Sequence, residues 1–75
     1  MIPLSMARQG ERLRVLRISG GKGFVQRLAE MGLYPGVEIE IISDGSKGPF
    51  IIGIGLSRIG LGFGMAKRIF VETLS

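Results

Sequence analysis

Thirteen of the 75 residues are glycine, and that density constrains the fold more than any other feature. It fits short strands joined by tight turns in a strongly bent sheet that closes on itself, because closure removes most exposed edges. A chain of this length makes one domain, residues 1–75, with no room for a second core. Hydrophobic residues make up 45% of it, too many for a disordered tail. There is no cysteine, so neither disulfides nor thiolate-bound metals can staple the fold, which fits a reducing cytoplasm.

The periodicity divides into short segments. From Arg12 to Ile18 the pattern begins as strict alternation, with Leu13 and Val15 on one face and Arg12 and Arg14 on the other. Leu16, Arg17 and Ile18 then invert the phase, which predicts a bulge within the strand. Ser19 to Gly23 reads as a loop. Phe24, Leu28 and Met31 recur at helical spacing and Val25 widens the stripe, predicting a helix over 24–31. Gly32 supplies its left-handed end, and Leu33 can fold back on the last turn. Tyr34-Pro35-Gly36-Val37 places proline and glycine where a type II turn needs them.

Further strands are predicted over 37–43, 50–55, 58–62 and 68–74. Ser5 is positioned to cap a single turn over 6–9, and 63–67 reads as one tight turn. Together these predict an all-β chain: a small SH3-like five-stranded barrel with one short α-helix between the first two strands. An OB-type barrel is the main competitor, since strand count alone does not separate the two.

Targeting and charge narrow the function. Met1 to Leu4 lacks the basic stretch and apolar run of a signal peptide. The most apolar segment, Pro49 to Leu56, is far short of the roughly 20 residues a spanning helix requires, so it reads as a buried strand and the chain as soluble, without membrane insertion. The net charge is +4 but unevenly placed. Residues 1–27 carry six bases against one acid, and 28–44 carry four acids and no base. Such a bipolar surface suits an acidic partner, and otherwise serves solubility.

Residues that carry chemistry are scarce. Histidine is absent, which removes the usual general base and the commonest metal ligand, and the serines have no partner to activate them. An enzyme is therefore not expected. Gly20-Gly21-Lys22-Gly23 precedes a helix, yet Gly23 stands where a phosphate-binding loop needs a hydroxyl. Gly53-x-Gly55 lacks the third glycine of a dinucleotide site, with Arg58 at that spacing, so no cofactor is expected. Glu38 and Glu40 alternate on one strand face with Asp44 nearby, a weak candidate for a divalent cation; solvated carboxylates are the commoner reading. The isoelectric point near 10.4 makes single-stranded nucleic acid the alternative ligand. Only five aromatics are available for base stacking, with Phe24 and Phe50 expected in the core and Tyr34, Phe63 and Phe70 scattered.

Across nearly the whole chain the motifs resemble the ferrous iron transport protein A (FeoA) family. Arg27-Leu28-Ala29-Glu30-Met31-Gly32-Leu33-Tyr34-Pro35-Gly36-Val37-Glu38-Ile39 is similar to that family's R-L-x-x-M-G-L-x-P-G-x-x-I core. Leu4 through Gly10-Glu11, Gly48-Pro49-Phe50, and the closing Ile59-Gly60-Leu61, Ala66 and Ile69-Phe70-Val71 follow in the family's order. Gly62 and Met65 depart from it, where many members carry an arginine and an acid. The resemblance implies an SH3-like barrel acting in the cytoplasm as an accessory or regulatory protein of bacterial ferrous iron uptake. It implies protein–protein binding to the cytoplasmic G-protein region of the permease FeoB, with no small-molecule substrate. The motif sets Leu33 and Tyr34 directly after the helix, where one can close the cap while the other points elsewhere. Arg27, off the apolar stripe, could join them, so the expected partner interface is Arg27, Leu33 and Tyr34.

Overall fold

A computed structural model describes residues 1–74. Strand β1 (Ile2–Pro3) leads into a 3-10 turn (Leu4–Met6), followed by β2 (Arg12–Ile18), helix α1 (Lys22–Glu30) and β3 (Glu38–Ser43). A second 3-10 turn (Gly45–Lys47) precedes β4 (Phe50–Ile54), β5 (Ser57–Leu61), the one-turn helix α2 (Phe63–Ala66) and β6 (Ile69–Thr73). All strands join one antiparallel sheet in the order β1-β6-β2-β3-β4-β5.

The all-β class holds, with two corrections to the expected architecture. There are six strands among the described residues, not five, and the long helix lies between the second and third because β1 precedes them. β1 is two residues long and pairs Ile2 with Val71 and Pro3 with Phe70. As an edge strand it tolerates Pro3, which has no N–H to donate. The first turn also starts earlier than predicted. Leu4 is fully buried and pulls the turn over Leu4–Met6, closed by the Ala7 N–H donating to the Leu4 carbonyl at 2.9 Å, without a side-chain cap from Ser5.

The phase inversion in β2 is a bulge. Its register with β6 runs Leu13 to Thr73 and Val15 to Val71, then shifts so that Arg17 faces Phe70. Leu16 is the extra residue and lies exposed. A bulge raises the local twist and bends the strand, which lets β2 turn from β3 toward β6.

Inward residues of every long strand except β5 alternate as predicted and are almost wholly buried: Leu13 and Val15, Ile39 and Ile41, Phe50 and Ile52, Ile69 and Val71. β5 gives only its last residue, Leu61, fully to the core. Leu28 is the one fully buried residue of α1, flanked by the partly buried Phe24 and Met31. Burial of each such Leu or Ile contributes about 1.5–3 kcal/mol. Among the described residues the core holds no polar or charged side chain, and no buried side-chain nitrogen or oxygen lacks a partner.

A candidate protein-docking surface

The helix-to-turn segment is held at both ends by backbone bonds. Gly32, at φ +94°, leaves the helix; its N–H donates to the Ala29 carbonyl at 3.0 Å, and the Leu33 N–H donates to the Leu28 carbonyl at 2.8 Å. This double closure is a Schellman motif. The next turn places Gly36 at φ +99°, with the Val37 N–H donating to the Tyr34 carbonyl at 3.1 Å, as a type II turn requires. Gly36 N–H to Val15 O at 2.7 Å and Val15 N–H to Val37 O at 2.9 Å then tie the turn to β2.

Of the three expected contact residues, the structure leaves two at the surface. Leu33 is completely buried: it closes the helix cap and packs in the core, so it offers nothing to a partner. Tyr34 points elsewhere and is 49% exposed. Arg27 is exposed on α1, where with Lys22, Gln26 and Glu30 it borders a shallow depression that does not include Tyr34.

The three acids considered for a cation do not converge. Glu38 accepts from Arg14 at 3.0 Å and lies 3.8 Å from Arg12, while the second arm of Arg14 donates to Glu72 at 3.2 Å. The bond to Glu38 first, and that to Glu72 second, hold the Arg14 guanidinium above its ordinary pKa. Asp44 is engaged elsewhere. Its carboxylate accepts from Ser46 at 3.0 Å as the cap of the second 3-10 turn, which lowers its pKa. No group of three His, Cys, Asp or Glu with metal-binding proximity occurs among the described residues. What lies beside Glu38 and Glu40 is a groove of about 460 Å³ running between Arg12 and Arg58, floored by Gly53 and rimmed by the fully exposed Leu56.

A second charged arrangement has little trace in the sequence. The Arg17 guanidinium lies 4.8 Å from the Phe70 ring centre, Arg68 lies 5.3 Å from Phe24, and the Lys67 ammonium 5.8 Å from Phe63. Phe24, expected in the core, is only partly buried because its ring also faces Arg68. The only sequence signal was Arg17 itself, a base emerging just past the bulge; the aromatic partners come from α1 and the C-terminal third. No helix is long and apolar enough to cross a membrane among the described residues.

Comparison with known proteins places this geometry. Residues 2–73 match the FeoA domain family. A Methanocaldococcus jannaschii protein provisionally named Fe(2+) transport protein A is 40% identical over 72 residues, covering 96% of this chain and 87% of that protein. The crystal structure of an iron uptake regulatory protein, FeoA, superposes with a TM-score of 0.90 at 38% identity, covering 97% of each chain. Stenotrophomonas maltophilia FeoA, crystallised with zinc and described as a prokaryotic SH3 domain protein, has a TM-score of 0.81 over 96% of this chain and 91% of that one. At 23% identity it attests the shared fold.

Proposed function

The chain belongs to the FeoA family, and from that premise we propose that it is a small cytoplasmic accessory protein of ferrous iron uptake that binds the cytoplasmic G-protein region of the permease FeoB. It acts by contact and not by catalysis. Neither histidine nor cysteine is present, Glu38 and Glu72 are bound to arginines, and Asp44 is bound to a turn. A transport accessory with no reactive centre works by holding another protein in one of its states.

The observation that carries the reading is Tyr34. It is half exposed on a turn whose backbone is locked to both the helix end and β2. Tyrosine pairs a broad apolar body with a polar tip, a combination enriched at interfaces. A rigid mount means little conformational entropy is lost when a partner engages it. About half of its surface remains open to a partner.

Titration of the full chain against the permease's cytoplasmic region, nucleotide-free, with GDP and with a non-hydrolysable GTP analogue, tests the proposal. Association is expected in at least one state. Tyr34→Ala is expected to weaken it by about 1–3 kcal/mol, the usual cost of losing an anchor residue, with the melting temperature of the isolated chain unchanged. Absence of association in every nucleotide state, and with full-length permease in membranes, overturns the proposal. A Tyr34→Ala chain that melts early yet binds normally assigns the residue to the fold instead.

A further inference from the structure

The outward face of the β2–β6 ladder changes character along its length. At one end Arg14 stands opposite Glu72 and is neutralised by it and by Glu38. Beyond the bulge the next outward pair is Arg17 opposite Phe70, a base over a ring. Arg68, two residues before Phe70, covers the Phe24 ring, and the Ser19 N–H donates to the Arg68 carbonyl at 2.7 Å. The end of β2, the start of α1 and the start of β6 therefore meet here. Lys67, next in the chain, adds a third base over Phe63, whose side chain is 62% exposed. Among the described residues none of Arg17, Lys67 and Arg68 forms an ion pair, whereas Glu72 on β6 and Glu38 on β3 are both bound to Arg14.

We infer that this end of the sheet docks on the anionic headgroup surface of a lipid bilayer. Unpaired bases near such a surface are attracted electrostatically, and an exposed apolar ring beside them adds contact at the headgroup boundary. Neither the groove at Gly53 nor the depression along α1 includes any of these bases and rings. A surface outside those two hollows suits a broad planar anion better than a peptide that needs a pocket. Single-stranded nucleic acid fits less well, because its bases stack on open aromatic faces. Here each ring has one face taken by the protein's own cation, and Phe24 and Phe70 are already partly buried. The inference does not depend on permease binding, and its test contains no permease.

The full chain is sedimented with vesicles of phosphatidylcholine alone and with vesicles containing equal parts phosphatidylglycerol, at low and at raised salt. Binding is expected only with phosphatidylglycerol and should fall as salt rises. Arg17→Gln with Arg68→Gln should weaken it roughly 10- to 30-fold, since each base near an anionic surface contributes several-fold. The corresponding double Lys variant should retain most of it. Lys47→Gln, in the turn after β3 at the opposite end of β2, should leave it unchanged. If the double Gln variant fails to fold, Phe63→Ser with Lys67→Gln, both exposed, is expected to show the same loss. Pelleting that ignores phosphatidylglycerol overturns the inference, as does an equal loss with Lys47→Gln. So does an oligonucleotide that binds more tightly than the vesicles through Arg17 and Arg68, which would assign the surface to nucleic acid.

Discussion

The same substitution, Gly to Ala, should have opposite effects at two positions nine residues apart in one segment. Gly23 is the second residue of α1 and has nothing within 4 Å of where a Cβ would sit. Alanine there adds no clash and removes the flexibility that glycine brings to the unfolded chain, a gain of about 0.5 kcal/mol so near a helix end. Gly32 is the left-handed residue of the Schellman motif at φ +94°. Its Cβ would meet the Ile54 side chain at 3.8 Å, an ordinary contact, so steric crowding contributes nothing. The cost is conformational, about 1–2 kcal/mol for an L-residue held left-handed. For a domain of this size each kcal/mol moves the melting temperature by about 4–8 °C. Thermal unfolding followed by circular dichroism in one buffer should show Gly23→Ala about 2–4 °C above the parent and Gly32→Ala about 4–16 °C below it. Gly32→Asn should fall between Gly32→Ala and the parent, because asparagine visits this region more readily. If Gly32→Ala melts at or above the parent, the helix does not depend on a left-handed closure and the account of the motif is wrong.

Two other outcomes follow from the structure. Leu33→Ala removes a completely buried side chain and should cost about 2–5 kcal/mol, read as a lower urea midpoint with an unchanged slope; a loss under about 1 kcal/mol would return Leu33 to the surface. Asp44 has its folded-state pKa lowered by the Ser46 bonds, so its stabilising contribution is complete above the unfolded value of about 3.9 and is lost as pH falls through the folded value. Asp44→Asn should therefore lose less stability than the parent between about pH 5 and pH 2, in parallel denaturant titrations.

Much of the fold is legible in single segments because alternation reports burial directly. Leu13 and Val15 against Arg12 and Arg14 mark the inner face, and the inversion at Leu16 marks the bulge without reference to any neighbour. The Gly32 and Pro35-Gly36 positions reveal the helix end and the turn because their backbone geometry admits few other residues. β1 stayed hidden, since two residues carry no period and its partner lies some seventy positions away. The spacing of Phe24, Leu28 and Met31 puts the start of α1 two residues late because Gly21, its cap, offers no side-chain signal. Site residues fared worse. Leu33 and Tyr34 are adjacent and both apolar-bodied, and only the completed backbone shows which one turns inward. The Arg14 bridge to Glu38 and Glu72, which unmakes the cation site, depends on the register of three strands. No local pattern encodes that register.

The sixth strand in chain order is an interior one. β6 lies between β1 and β2, so until residues 69–73 leave the ribosome β2 has a bare flank and β1 has no strand to join. A nascent chain can form the β3–β4–β5 meander early, yet Val15 lacks its neighbour Val71 and the Ser19 amide lacks the Arg68 carbonyl until β6 emerges. Folding of the sheet therefore waits on β6, whose pairing with β1 and β2 joins residues some fifty to seventy positions apart, and such non-local closure is slow. Chains cut before Ile69 leave the β2 flank of the core open, so they should be cleared by proteases and not persist.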